Sequence, residues 1–117
     1  FINDTQENLH GILNCCFEAK VRGIICFGIG TTIRDGDREY FYSALESDAM
    51  TRKFPGMKQK YISKFGYSYE CKSENNDALM KVFHTECEKH GVMHDVNKIF
   101  GYLHEFPKNE REQLRLF

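Results

Sequence analysis

Apolar residues recur at helical spacing along most of this chain, and in one place they run together. Leu9, Ile12, Leu13, Cys16 and Phe17 fall at i, i+3, i+4, i+7 and i+8. That stripe predicts an amphipathic helix over about residues 5–20. Asp4 and Glu7 supply a D-x-x-E start signal, and Arg22-Gly23 turns the chain. Gly23-Ile24-Ile25-Cys26-Phe27-Gly28-Ile29-Gly30 is then an unbroken apolar run of strand length. Such a run predicts a strand covered on both faces, of the kind usual in parallel sheets. Phe1-Ile2 reads as the last stub of a preceding strand, so the opening has a β-α-β pattern.

Residues 31–37 form a polar loop after that strand, the edge where α/β folds place ligands. The pattern predicts a helix from Arg38 to Ala49, capped by Asp37, with Phe41, Ala44 and Leu45 inward. Phe54-Pro55-Gly56 breaks it. Met57, Tyr61 and Phe65 mark a further helix stopped by Gly66, and Tyr67 to Cys71 reads as extended. Asn75 or Asn76 caps a helix with Leu79, Met80, Phe83 and Cys87 inward, ended by Lys89-His90-Gly91. Asp95 caps a last helix with Ile99, Phe100, Leu103 and Phe106 inward, ended by Pro107. The content is mostly helical with one clear strand, an α/β fragment whose sheet lacks its earlier strands.

Composition narrows the class. A chain of 117 residues, 41% hydrophobic, is one domain at most or part of a larger one. Collagen, low-complexity disorder and a disulfide-rich secreted scaffold are excluded. No run of apolar residues is long enough for a membrane span, and the opening lacks signal-peptide chemistry. We expect the chain, beginning at Phe1, to be cut within a domain. Five cysteines, an odd number with Cys15 and Cys16 adjacent, point to a reducing cytoplasm rather than a disulfide framework. The net charge of −1 gives no global field for nucleic acid or membrane. Locally, however, Arg52, Lys53, Lys58, Lys60 and Lys64 fall in one stretch without an acid. That stretch carries +5, which leaves −6 for the rest.

Four constellations have chemistry to offer, and each has a plain structural reading. Gly28-Ile29-Gly30 at a strand end suggests a phosphate loop, but Ile33 stands where a dinucleotide fingerprint needs its third glycine. Close backbone packing is the alternative. His84-x-x-Cys87-x-x-His90-x-x-x-His94 offers zinc-type donors. Yet Cys87 continues the apolar stripe and His90 suits a helix end, so no metal ligand is assigned. The basic stretch, with Phe54, Tyr61 and Phe65 among its charges, suits a nucleic-acid backbone, or else an ordinary solvated face. Arg34, Asp35, Asp37, Arg38 and Glu39 crowd one loop, where turn and cap chemistry competes with catalysis. No catalytic residue is assigned.

The tail is more specific. Gln113-Leu114-Arg115-Leu116-Phe117 matches the Gln-Leu-x-Leu-Phe peptide by which bacterial proteins bind the DNA polymerase sliding clamp. Leu114, Leu116 and Phe117 would enter an apolar groove, each burial contributing ~1.5–3 kcal/mol before ordering costs. Gln113 would set the register. Ordering a tail brings the expectation to micromolar affinity, about −8 kcal/mol. The alternative is that these residues fold back on their own core.

Ile2-Asn3-Asp4-Thr5-x-Glu7-Asn8, Gly23-Ile24-Ile25-Cys26-Phe27-Gly28, Asp35-Gly36-x-Arg38-Glu39-Tyr40-Phe41-Tyr42, Phe83-His84-x-x-Cys87 and Tyr102-Leu103-His104-Glu105-Phe106-Pro107 carry a resemblance over essentially the whole chain. It resembles the carboxy-terminal part of radical S-adenosylmethionine proteins of the spore photoproduct lyase-like group. The resemblance implies the last β-α-β portion of a partial (β/α) barrel in residues 1–50 and a helical extension in 51–107. A polar linker and docking peptide would occupy 108–117. It also implies a parent enzyme using S-adenosylmethionine and a [4Fe–4S] cluster, with DNA repair or nucleic-acid modification as its field. The cluster's Cys-x3-Cys-x2-Cys motif is absent here, so the fragment is expected to be inactive alone. Cofactor contact, if any, would come from Phe27, Gly28, Gly30 and Thr31. The expected partners are the missing part of the barrel, the sliding clamp, DNA through the basic stretch, and a second copy through open strand edges. A non-enzymatic interaction module is the rival reading.

Overall fold

The computed structural model describes residues 1–106. In chain order it contains α1 (Gln6–Glu18), β1 (Gly30–Thr32), α2 (Asp37–Leu45), α3 (Asp48–Lys53), α4 (Met57–Phe65), β2 (Glu70–Lys72), α5 (Asn76–Lys89) and α6 (Val96–Leu103). The fold is mostly helical, with a small two-stranded antiparallel sheet.

The longest helices make the first core. Leu9 and Leu13 of α1 face Leu79, Phe83 and Cys87 of α5, and Val92 closes the end. Leu13, Phe83 and Cys87 are almost wholly removed from solvent. Helices of this length gain most of their stability from such a buried face. Ile12, placed on the same stripe by its spacing, is instead 55% exposed. Thr5, not Asp4, caps α1 by accepting from the Asn8 amide at 3.2 Å. Asp4 accepts from the Ser73 hydroxyl, and its carbonyl accepts from the Asn75 side chain at 3.1 Å. The chain start is thereby tied to the start of α5. Burial pushes the Asp4 carboxyl up, but hydrogen bonds from the Phe1 ammonium and Ser73 outweigh it and hold it low.

The second core gathers Leu45, Met57 and Tyr61, with Phe1, Ile2, Phe41, Tyr42, Phe54 and Phe65 around them. Met57, Tyr61 and Phe65 turn to one side of α4, as their spacing predicts. Phe1 and Ile2 pack on this cluster and pair with no strand among the described residues. The helix predicted over 38–49 is two helices. Ser47 accepts from the Met50 amide and starts α3 afresh. The cap of α2 is Gly36, with φ 89°, rather than Asp37, and its amide donates to Glu39 at 3.1 Å.

The apolar run does not build the expected two-face-buried strand. Among the described residues its only bridge outside the named strands is parallel, Gly23 with Met93, through Met93 N–H to the Arg22 carbonyl and Ile24 N–H to the Met93 carbonyl, both 2.9 Å. Beyond it the segment runs extended along the first core. Ile24, Cys26 and Ile29 pack inward, while Ile25 is 43% and Phe27 80% exposed. Among the described residues, Ile25 to Phe27 make no backbone–backbone hydrogen bond. The sheet strands are β1 and β2, antiparallel, in the register Gly30–Lys72, Thr31–Cys71 and Thr32–Glu70. In α6 only Ile99 is buried; Phe100, Leu103 and Phe106, predicted inward, are exposed.

Candidate functional site

A groove of about 500 Å³ opens where the extended segment becomes β1, lined among others by Phe27, Gly28, Gly30, Thr31, Lys72 and Asn76. The four residues singled out beforehand at this edge, Phe27, Gly28, Gly30 and Thr31, are therefore brought together. Pairing outside the ladder firms both ends: Ser73 N–H reaches the Ile29 carbonyl at 3.0 Å and Ile33 N–H the Tyr69 carbonyl at 2.8 Å.

The two glycines answer to the chain's own packing. A Cβ at Gly30 would stand 2.7 Å from the Cys71 carbonyl oxygen, closer than any side chain tolerates. At Gly28, where φ is +141°, a Cβ would meet Asn76 Oδ1 at 3.1 Å. That oxygen accepts from the Ile29 amide at 2.8 Å and pins the segment to α5. Asn76 Nδ2 donates to Asp77 at 2.7 Å. This bond, followed by the nearby Lys72 charge, holds the Asp77 carboxyl below its ordinary value. Lys72 stands 3.6 Å from the same carboxylate. The chemistry the groove presents is an exposed aromatic ring at Phe27, the hydroxyls of Thr31 and Thr32, the Glu70 carboxylate and Lys72, which is paired with Asp77. Burial pushes the Cys71 thiol up, with Arg38 opposing, so it is no ready nucleophile.

Two residues named in the sequence analysis anchor the fold in ways that reading did not assign. Arg38 is buried, donating to Asp35 at 2.6 Å, to the Tyr67 carbonyl at 2.9 Å and to the Ile33 carbonyl at 3.2 Å. It also stacks near the Tyr67 ring, 5.2 Å from its centroid. Arg38 thus ties the loop after β1 to the approach to β2, and the crowded charges of residues 34–39 serve turn, cap and clamp. Asn76, one of the two expected cap positions, is the first residue of α5 and spends its side chain on the extended segment.

The basic stretch lies on α3 and α4, and ion pairs occupy part of it. Lys58 pairs with Glu46 at 2.6 Å, and Lys64 pairs with Glu74. Hydrogen bonding to Lys64, then its charge, holds the Glu74 carboxyl low. Lys60 sits 4.1 Å above the Phe1 ring and Lys53 lies 5.6 Å from the Phe54 ring. Arg52 donates to the Asp48 carbonyl at 3.1 Å. Tyr61 is buried, so it offers no face on which a base would stack.

The histidine and cysteine set separates. Cys87 is wholly buried, and burial pushes its thiol up, followed by the neighbouring Cys16 and Cys26. His90 stacks flat on Phe17, with ring centres 3.8 Å apart, and donates from Nδ1 to the Glu86 carbonyl at 2.9 Å. His84 and His94 meet through their Nδ1 atoms at 2.7 Å. Among the described residues no three His, Cys, Asp or Glu side chains converge to hold a metal ion. With Cys71 and Cys87 also buried as thiols, these residues do not fit an iron–sulfur cluster. Nor is any helix among them long and apolar enough to cross a membrane. The tail residues Gln113, Leu114, Leu116 and Phe117 lie outside the described residues.

Comparison with known protein families, with curated proteins and with solved structures found no match.

Proposed function

We propose that this chain forms the C-terminal portion of a bacterial radical S-adenosylmethionine enzyme of the spore photoproduct lyase-like group. In this reading it is inactive alone and contributes one wall of the active site. One observation carries the proposal. Ile24 to Phe27 is an apolar segment with Ile24 and Cys26 on the helices, while Ile25 and Phe27 are exposed, and among the described residues the backbone of 25–27 makes no backbone hydrogen bond. Unpaired apolar backbone is a template for further strands. A barrel completed from elsewhere in the parent would pair it and cover both side chains. The groove at Phe27, Gly28, Gly30 and Thr31 would then lie at the carboxyl edge of the sheet, where barrel enzymes bind ligands.

In the parent, the Phe27 ring would offer a stacking face for an adenine, and the Thr31 hydroxyl would bond polar edges of the cofactor. Gly28 and Gly30 would keep the backbone close to α5 and β2, so that nothing bulky intrudes. The cluster, held outside this chain, would supply the electron that splits S-adenosylmethionine. The substrate field is DNA repair or nucleic-acid modification, in the cytoplasm. The tail Gln113, Leu114, Leu116 and Phe117 would bring the enzyme to the sliding clamp. Arg52, Lys53, Lys58, Lys60 and Lys64 would add contact with the DNA backbone.

The intact parent, purified without oxygen, tests this directly. It should contain iron and sulfide and convert S-adenosylmethionine to 5′-deoxyadenosine on reduction. A parent without iron, or without a three-cysteine motif, overturns the proposal. Titration against purified clamp tests the tail separately: deleting Leu116-Phe117 should abolish the binding.

A further inference from the structure

The first and last members of the dispersed histidine and cysteine set converge although the middle two do not. His84 Nδ1 and His94 Nδ1 are 2.7 Å apart, with ring centres at 5.0 Å and planes inclined by 50°. A neutral imidazole nitrogen is either an N–H donor or a bare lone pair. At 2.7 Å one ring donates its N–H to the lone pair of the other, an imidazole–imidazole hydrogen bond, and a metal ion that replaced that hydrogen would find both nitrogens already facing it. With metal–imidazole bonds of about 2.0–2.1 Å, two ligands stand roughly 3.3 Å apart at zinc's tetrahedral angle and roughly 2.9 Å apart at the right angle of a tetragonal or square-planar ion. The observed spacing is nearer the right-angle value, that of two adjacent ligands on Ni²⁺ or Cu²⁺.

Both rings stand on fixed backbone. His84 belongs to the middle of α5, beside the fully buried Phe83, and its ring meets that of Phe83 edge-on at 5.1 Å. His94 also meets Phe83 edge-on, at 6.3 Å. The chain before it is held by Val92 N–H to the Cys87 carbonyl and by the two Met93 bonds to the extended segment, all 2.9 Å. The chain after it is held by the Asp95 cap, which accepts from Lys98 N–H at 2.9 Å. Preorganised imidazoles lose little freedom on binding, which favours chelation.

We propose that His84 and His94 form a two-imidazole site for a divalent transition cation of the Ni²⁺ or Cu²⁺ type. The remaining positions on the cation are left to water or to donors from another molecule. The site is separate from the groove and does not depend on the radical chemistry proposed above. Its function would be to bind a second ligand through the metal or to lock α5 to the start of α6.

The test is calorimetric titration of the full chain with NiCl2 near neutral pH, beside His84→Gln, His94→Gln and the control His10→Gln. The expected result is one equivalent bound by the native chain and by the control. Either site substitution should weaken it by about tenfold or more. Imidazole proton resonances of the unmodified chain give an independent reading should a variant fail to fold. Paramagnetic Ni²⁺ should broaden His84 and His94 before His10, His90 and His104. Equal affinity in all variants, uniform broadening, or no binding at all overturns the proposal and leaves an adventitious ion only.

Discussion

The two apolar clusters hold the chain together by different means. Between α1 and α5, aliphatic side chains, Phe83 and a thiol are fully interleaved along two helices of 13 and 14 residues. Among α2, α3 and α4, of nine, six and nine residues, Leu45, Met57 and Tyr61 are the only buried apolar side chains. Aromatic rings do the rest. Phe1 and Phe41 each meet Tyr61 edge-on at 5.1 Å and 78°, a favoured geometry for such pairs. Length explains the contrast, since short helices present too few turns to bury a full stripe. The first cluster is a core; the second is a ring stack under a surface.

That contrast can be broken at its strongest point. Phe83→Ala should cost about 3–5 kcal/mol, while Tyr61→Ala, with more room to relax, should cost about 2 kcal/mol. Urea unfolding of both variants checks the order, and equal losses would dissolve the distinction. Next comes the clamp between β1 and β2. Arg38→Met leaves the Ile33 and Tyr67 carbonyls without their donor. Each such loss costs about 1–3 kcal/mol, and amide exchange at Ile33 should quicken while that of Leu13 does not.

A smaller effect should appear with alkali. Burial raises the thiols of Cys71 and Cys87 and the phenol of Tyr61, so the folded chain keeps protons that the unfolded chain releases. Stability is then full below the thiols' ordinary value of 9.0 and falls as pH climbs past it. A urea midpoint that rises between neutral and alkaline pH would contradict this. The smallest effect belongs to the extended segment. Phe27→Ser, at an exposed position, should shift the stability of this chain by less than about 0.5 kcal/mol. The same change in the proposed parent should reduce cofactor binding. A large loss in the isolated chain would place Phe27 in the core instead.

Regular stripes were legible in advance. Leu9 and Leu13 announced α1, Leu79, Phe83 and Cys87 announced α5, and Met57 and Tyr61 announced α4, because a helix reports its buried face through its own spacing. Where burial depends on distant partners, spacing misled. Ile25 and Phe27 read as buried because apolar residues cluster there, yet no strand among the described residues covers them. Phe100 and Leu103 failed for the same reason on α6. The break at Ser47 was written in its capping chemistry, but an apolar pattern continuing from Phe41 through Leu45 masked it. Gly28 and Gly30 were placed at the right edge, and close packing there was one of the two readings kept open. The meeting of His84 with His94 could not be foreseen, because it depends on a turn that ten residues of sequence do not dictate.

The helical excursion leaves and rejoins the ribbon at a single rung, Thr32 opposite Glu70. The 37 residues from Ile33 to Tyr69 therefore form a closed detour with its ends in contact. Closing so long a loop before it is structured carries an entropic penalty that grows with the logarithm of its length. The stitch should consequently be a late event on the folding route, waiting for α2 to α4 to condense. A short two-residue turn grafted in their place would let the ribbon zip early.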